Sequence, residues 1–487
     1  YDRFGNENSA YLFNGSSSYI NCGDPADNSF DLTGDFTISC WIQLNLDNQT
    51  WNVVASKDEG SGTQNKWIFS YSFDPTELAN SFHFVNTAIP YNGTNFSNQW
   101  AATLNEWYYL TLLKEGNTFK YYLNSESIGS AENSIVVPDV GNSLYLGMAE
   151  GIGWFNGKMD DIRLYNRALS NAEIKALYYE GVIPYIELII AGNPSYIGSP
   201  VEIHGSGFVP DINENVVWFG NARGLIQSAT ETSLVVTVPD AANYGPVTVL
   251  NKWSGLSVQS KTYFTPSFLS MGDLDVNSLG AKTDLTAGNS PEAVALGDLN
   301  GDNKADLITA NRSDGTVSVL VNNGTNGAIS FAAKQDFSTS FNPQCLALGD
   351  VDGDGLIDVM AGNFTVSILR NNSSGGVLSF ENKIDFGSCS DIQQISFGDM
   401  NDDGKPDIVV VYDSSGYNAS VLINASTPGN IVFSSQVDFS IGSSPNSLAI
   451  AYLDTEFGPE LIVAGNDLSG TLSVLKSISY KIGRAHV

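Results

Sequence analysis

Histidine is nearly missing from this chain of 487 residues; there are three, His83, His204 and His486. That scarcity removes most ways of building a Ser-His-Asp or imidazole acid–base site, which need the ring within hydrogen-bond reach of its partners. His83 sits between Phe82 and Phe84 in an alternating strand pattern, and His204 lies in a second strand-rich stretch, so neither has a catalytic setting. Basic residues are also few: 22 lysines and arginines against 53 acids give a formal net charge of −31. Nucleic-acid phosphates and anionic membrane surfaces would be repelled, so neither is expected as a partner. No apolar run reaches the roughly 20 residues of a membrane-spanning helix, and no membrane insertion is expected. Four cysteines are too few for a disulfide framework in a chain this long. Cys22 and Cys40 could pair if their strands are neighbours, while Cys345 and Cys389 read as free and buried. There is no Walker-type phosphate loop and no CxxC pair.

What is present is aspartate, gathered into three short loops. GDLNGDNKADL (297–307), GDVDGDGLIDV (349–359) and GDMNDDGKPDI (398–408) together hold eleven of the 53 acids. Carboxylates this close repel one another unless a cation gathers them. Side-chain oxygens at loop positions 1, 3, 5 and 9, with a backbone carbonyl at 7, suit one hard ion at about 2.3–2.6 Å. The first set is Asp298, Asn300, Asp302 and Asp306 with the carbonyl of Lys304. The second is Asp350, Asp352, Asp354 and Asp358 with the carbonyl of Leu356, and the third Asp399, Asn401, Asp403 and Asp407 with that of Lys405. All-oxygen ligation favours Ca²⁺ over zinc or copper. These are not EF-hands, because position 12 holds Thr309, Ala361 and Val410 in place of a bidentate glutamate. Counting carboxylates ranks the second loop, with four aspartates, as the tightest of about three calcium sites, each structural and not catalytic.

The loops mark an internal repeat. Asp298, Asp350 and Asp399 start the loops 52 and 49 residues apart, and Tyr452 takes the first position of a decayed fourth copy. A second marker keeps phase in Asp284, Asp336, Asp385 and Asp438. Each acidic loop is followed by two apolar strand patterns, and about fifty residues with several short strands is the size of a propeller blade. Residues 267–480 therefore read as about four blades, and they resemble the FG-GAP/VCBS repeats of integrin-α-type propellers.

Length alone suggests about three domains. Residues 1–182 alternate apolar and polar positions, as in Phe36 to Ile42 and Trp107 to Leu112, between turns rich in Gly, Asn and Asp. One helix closes this region, started by the capping box Ser170-Asn171-Ala172-Glu173 and stopped at Gly181. Tyr11 to Gly15 with Tyr19-Ile20, Leu32 to Trp41, and Phe155 to Ser170 together resemble the laminin-G-like, concanavalin-type jelly roll. That family consists mostly of extracellular modules that bind glycans or proteins, often with one calcium ion. The resemblance makes Asp160 or Asp161 a possible further calcium ligand. The same fold hosts glycosidases, but their Glu-x-Asp-x-x-Glu strand motif is absent. Residues 184–266, with Gly198 to Phe208, Val217 to Gly220 and Gly245 to Val249, resemble the immunoglobulin-like IPT/TIG domain, which commonly serves as a spacer. Residues 481–487 are read as a non-native tail; Ile482 to Val487 resemble a translated sequencing adapter. No targeting signal is readable at Tyr1, and the chain reads as a metagenomic-type fragment.

The expected fold class is all-β: a jelly-roll sandwich, a small immunoglobulin-like sandwich and a partial calcium-binding β-propeller. The expected function is that of a bacterial extracellular or cell-surface modular protein for adhesion or binding, recognising a glycan or protein, and not an enzyme. The alternative is a non-catalytic accessory part of a larger secreted polysaccharide-degrading enzyme. Trp51, Trp67, Trp100 and Trp154 lie in less regular segments and are the candidates for stacking on a sugar ring.

Overall fold

A computed structural model describes residues 2–7, 9–26, 30–45, 51–59, 66–72, 81–86, 100–134, 136–149, 153–191, 197–267, 280, 282–325, 328–387, 391–413, 419–441, 444–453, 458–465 and 472–477. The regular structure of the described residues is strand apart from one helix, Asn171–Tyr179. Two compact units emerge, one ending at Glu180 and one running from Gly181 to Tyr480.

In the first unit the alternation seen in the sequence becomes a two-sheet sandwich. Six strands run in the order Tyr11–Asn14, Asn156–Tyr165, Phe36–Leu44, Trp107–Glu115, Thr118–Leu123, Glu126–Glu132. Five more run Ile20–Gly23, Leu144–Leu146, Trp51–Asp58, Lys66–Ser72, Ser81–Asn86. Successive strand residues face opposite sides, so Ile38, Cys40 and Ile42 meet Phe69, Tyr71 and Phe84 in the core. Trp41, Tyr109 and Tyr122 take the other face of the six-stranded sheet, where the helix covers them through Ile174 and Tyr178. The indole of Trp41 and the ring of Tyr178 stack 5.3 Å apart. The helix begins as the sequence indicates: Ser170 caps it, and the Glu173 carboxylate accepts in turn from the Ser170 N–H at 2.8 Å. The strands of Cys22 and Cys40 are not neighbours, so the condition for their pairing is not met. Cys22 is exposed on an end strand of the five-stranded sheet, and Cys40 is buried in the middle of the six-stranded one. Cys345 is free and buried, and Cys389 lies outside the described residues.

The second unit opens with two four-stranded sheets between Tyr185 and Phe264, packed through Val201, Ile203, Val217, Phe219, Leu234 and Val249. Four antiparallel meanders follow. Their first strands are Pro291–Gly297, Cys345–Gly349, Ile392–Gly398 and Pro445–Ala451, and each packs against the first strand of the next. In the first three, the acidic loop joins the first strand to the second, and the last ligand candidate (Asp306, Asp358 or Asp407) starts the second strand. The second sequence marker also acquires a structural role. Asp336, Asp385 and Asp438 each accept a hydrogen bond of 2.6 Å from Ser318, Ser367 or Ser420 on the strand beside them. At the start of the row one face is bare: Leu296 is 48 % exposed, whereas Leu348 at the same place in the next sheet is 8 % exposed. The described residues form a row of four blade-like sheets, not a closed ring.

Candidate functional site

The three acidic loops share one backbone scaffold. The first aspartate of each accepts N–H donors from the turn that follows: Asp298 from Gly301 and Asn303, Asp350 from Gly353 and Gly355, Asp399 from Asp403 and Gly404. Position 6 is left-handed in all three, at φ +66° for Asn303, +89° for Gly355 and +83° for Gly404. Glycine and asparagine tolerate that conformation and branched side chains do not. The last aspartate is fixed twice, by an N–H inside the loop and by one from an asparagine at or just past the end of the third strand. Asp306 accepts from Leu299 and Asn322, Asp358 from Val351 and Asn371, Asp407 from Met400 and Asn424, all at 2.8–3.0 Å. Asp350, Asp352 and Asp358 bring carboxylate oxygens within 4.8 Å of one another.

Sequence reading missed the asparagines. Asn371 donates from its side chain to the carbonyls of Ile357 in its own loop and Leu299 in the preceding one, both at 2.8 Å. Asn424 does the same with Pro406 and Val351. Each loop is thereby tied to its neighbour. The recurrence was legible as Val321-Asn322, Arg370-Asn371 and Ile423-Asn424, one asparagine after each third strand.

Charge decides what these loops accept. Burial pushes Asp306 and Asp399 up to about 6 and Asp407 up to about 7, and it drives Asp350 and Asp358 well above the usual carboxylate range. Among the described residues, no ion pair joins Asp298, Asp302, Asp306, Asp399, Asp403 or Asp407 to a lysine or arginine, whereas Arg370 binds Asp352 and Asp354. Oxygen-only donors, prearranged by backbone N–H groups and short of positive charge, fit a hard divalent cation. The donors are those read from the sequence, with the carbonyls of Lys304, Leu356 and Lys405. In the decayed copy, Asp454 and Glu456 lie outside the described residues. There Tyr452 fills the first position and buried Glu460 accepts from Leu453 at 2.8 Å.

The domain of residues 184–267 lies across these loops. Asn221 accepts from the Asp298 N–H at 3.2 Å, and Gly404 accepts from the Ser257 N–H at 2.7 Å. Gly353 runs so close to Gly255 that an added Cβ would come within 2.4 Å of the Gly255 carbonyl oxygen. Lys261 holds its ammonium 5.3 Å from the Tyr452 ring. Beneath these contacts Val216, Trp218 and Leu250 join Leu299, Ile308 and Ile357 in one buried cluster. The guanidinium of half-buried Arg223 feels Asp298 and Asp350, which partly offset the cost of its desolvation.

The four tryptophans of the first unit separate. Trp67 is corrected: it is fully buried, because alternation along Lys66–Ser72 turns Trp67, Phe69 and Tyr71 inward together. Trp100 wedges between Tyr71 and Tyr108, with ring centroids 5.4 and 4.3 Å away. Trp51 is half-buried against His83, 5.1 Å off. Trp154 differs. A short hairpin, Met148–Ala149 with Gly153–Trp154, folds onto the strand Trp51–Asp58, where Ser56 donates to the Met148 carbonyl at 2.7 Å. That places Trp154 beside Tyr19, itself 48 % exposed, at 6.2 Å, and Tyr145 stands 5.8 Å from Tyr19. Tyr19 and Tyr145 were not singled out from sequence. The signal was the triplet Leu144-Tyr145-Leu146, whose buried leucines turn the tyrosine to the outer face.

Asp160 and Asp161 occupy a bulge that breaks the register between Asp160 and Arg163, with Asp161 at φ +45°. Asp161 pairs with Arg3, whose guanidinium lies 4.7 Å from the Trp41 ring and donates to the Glu180 carbonyl. Asp160 is buried and accepts from the Asp161 N–H at 2.9 Å. Arg3 thus pairs with Asp161, one of the two aspartates the resemblance offered to an ion.

Among the described residues no helix is long and apolar enough to cross a membrane. No curated protein matches the chain. Partial likeness is found to domain 4 of AbnA, a GH43 extracellular arabinanase from Geobacillus stearothermophilus, in complex with arabinotriose. It has 17 % identity and a TM-score of 0.27, covering 35 % of this chain and 76 % of that one. The CBM40 of the Ruminococcus gnavus IT-sialidase gives 14 % and 0.26, covering 35 % and 96 %. A mutant NanB sialidase from Streptococcus pneumoniae gives 11 % and 0.28, covering 96 % and 97 %. None of these scores reaches that of a shared overall fold. Family matches are specific: residues 14–175 match the concanavalin A-like lectin/glucanases superfamily, 184–267 the IPT/TIG domain and 298–361 the FG-GAP-like repeat. Three stretches of the chain thus match, in that order, a concanavalin A-like domain, an IPT/TIG domain and an FG-GAP-like repeat.

Proposed function

We propose that this is an extracellular or cell-surface binding protein whose concanavalin A-like domain holds a glycan on the Tyr19–Tyr145–Trp154 cluster. The observation that carries the reading is this partly exposed aromatic trio on a lectin-like sandwich. Aromatic faces pack against the C–H faces of a pyranose or furanose ring, and the tyrosine hydroxyls can bond its hydroxyls, which suits a neutral sugar. The chain binds and does not react, and the repeats serve as a rigid platform held by structural Ca²⁺ in the acidic loops. When bound, calcium supplies the positive charge that the buried aspartates lack; the residues themselves fix its position through the N–H bonds described.

A glycan array probed with the full chain in calcium tests this reading. Trp154→Ala and Tyr19→Ala should each weaken the strongest hit at least tenfold, about 1.4 kcal/mol, with unchanged melting temperature. No glycan binding across a broad array, or binding indifferent to both substitutions, would refute it.

A further inference from the structure

The second loop has the most carboxylates, yet it is the one already holding a cation of the protein's own. Arg370 is nine-tenths buried and spreads its fork over three acids: Nε to Asp352 at 2.6 Å, Nη2 to Asp354 at 2.6 Å and Nη1 to Glu381 at 2.8 Å. The same oxygen of Asp352 also accepts from the Gly429 N–H at 2.9 Å. The pairing Leu320–Leu307, Leu369–Val359 and Leu422–Ile408 sets the repeats in register, so Val321 and Ile423 occupy the place of Arg370 in the first and third sheets. The arginine is thus a feature of one repeat and not of the scaffold. Arg223 does not create the same difference, since it faces Asp298 as well as Asp350.

We infer that Arg370 is the built-in counter-cation of the second loop, so that this loop forms without metal and is the last of the three to load calcium. Two effects act together. Arg370 takes one oxygen each of Asp352 and Asp354, leaving to an ion only the second oxygen of each, where Asp352 accepts from the Asp354 N–H at 3.2 Å and Asp354 from the Leu356 N–H at 2.9 Å. Its buried charge also repels an incoming divalent ion, in surroundings where charges are weakly screened. The first and third loops, with an apolar residue in that place, depend on the ion for the same neutralisation. This order reverses the one obtained by counting carboxylates, and it rests on the reading of the loops as calcium sites.

Calorimetric titration of the full chain with Ca²⁺ alone, after chelation, tests the inference. The wild type should show about three sites, one at least tenfold weaker than the others, and Asp350→Asn should delete that weak step. Arg370→Val, which installs the residue found at position 321, should tighten the weak step at least tenfold and lower the melting temperature in EGTA. Arg370→Lys, which keeps the charge but loses the fork, should fall between, and it serves if the valine variant does not fold. Loss of the tightest step in Asp350→Asn, or an Arg370 variant with an unchanged titration, would overturn the inference. A wild type that binds no calcium would instead overturn the calcium reading itself.

Discussion

Replacing Trp218 by alanine removes the side chain that fastens the IPT/TIG domain to the acidic loops. Trp218 is 4 % exposed and shares one buried cluster with Leu299, Ile308, Leu348 and Ile357 of the repeats. Truncating a buried tryptophan costs about 3–5 kcal/mol. The lower end applies, because the indole already borders a cavity of about 140 Å³, beside Leu250, Asp350 and Ile357, and so has fewer contacts to lose. About 3 kcal/mol corresponds to a fall of roughly 5 °C in a unit of this size, at an unfolding entropy of about 2.1 cal/mol/K per residue. Differential scanning calorimetry in calcium should show the transition of residues 181–480 moving by that amount as one event. The transition of residues 1–180 should stay in place. If the IPT/TIG domain were a free spacer, Trp218→Ala would shift only a small separate transition and leave the repeats untouched. That result would refute the argument that the two form one cooperative unit.

Two further outcomes follow from the same geometry. In EGTA, Asp407 holds its proton up to about 7 in the fold, against an ordinary value of 3.8, and Asp306 and Asp399 up to about 6. Between those values the folded chain carries protons that the unfolded chain has released, so metal-free stability should fall as pH rises from about 4 through about 7. Saturating calcium should remove most of that decline; a metal-free melting temperature that climbs over the same range would contradict it. The thiols give a simpler check. Alkylation of the native chain should label exposed Cys22 and spare buried Cys40 and Cys345, and reductant should leave the melting temperature unchanged. A mass loss of two hydrogens, or a Cys22 that resists alkylation until reduced, would restore the disulfide.

Much of this protein was readable in one dimension because its information is local. Strand alternation around Trp41, the Ser170–Glu173 cap and the loop spacing from Asp298 to Asp407 each specify structure within about ten residues, and periodicity reports exactly that range of interaction. The blade boundaries were legible because the same local pattern returns at nearly constant intervals. Trp67 shows the limit. Its segment looked irregular from sequence, and only pairing with the strands on either side fixed which way the ring turns.

Composition, the order of the three domains and the identity of the calcium-ligand candidates are properties of the sequence alone, since they depend on residue type and spacing along the chain. Tertiary structure alone decided the partners. It brought Arg370 to Asp352 across 18 positions, Arg3 to Asp161 across 158, Tyr19 to Trp154, and the IPT/TIG domain onto the acidic loops. Such contacts join residues distant in the chain through strand pairing and buried surface. A carboxylate's role therefore depends on which charge the fold sets beside it, and no local pattern carries that.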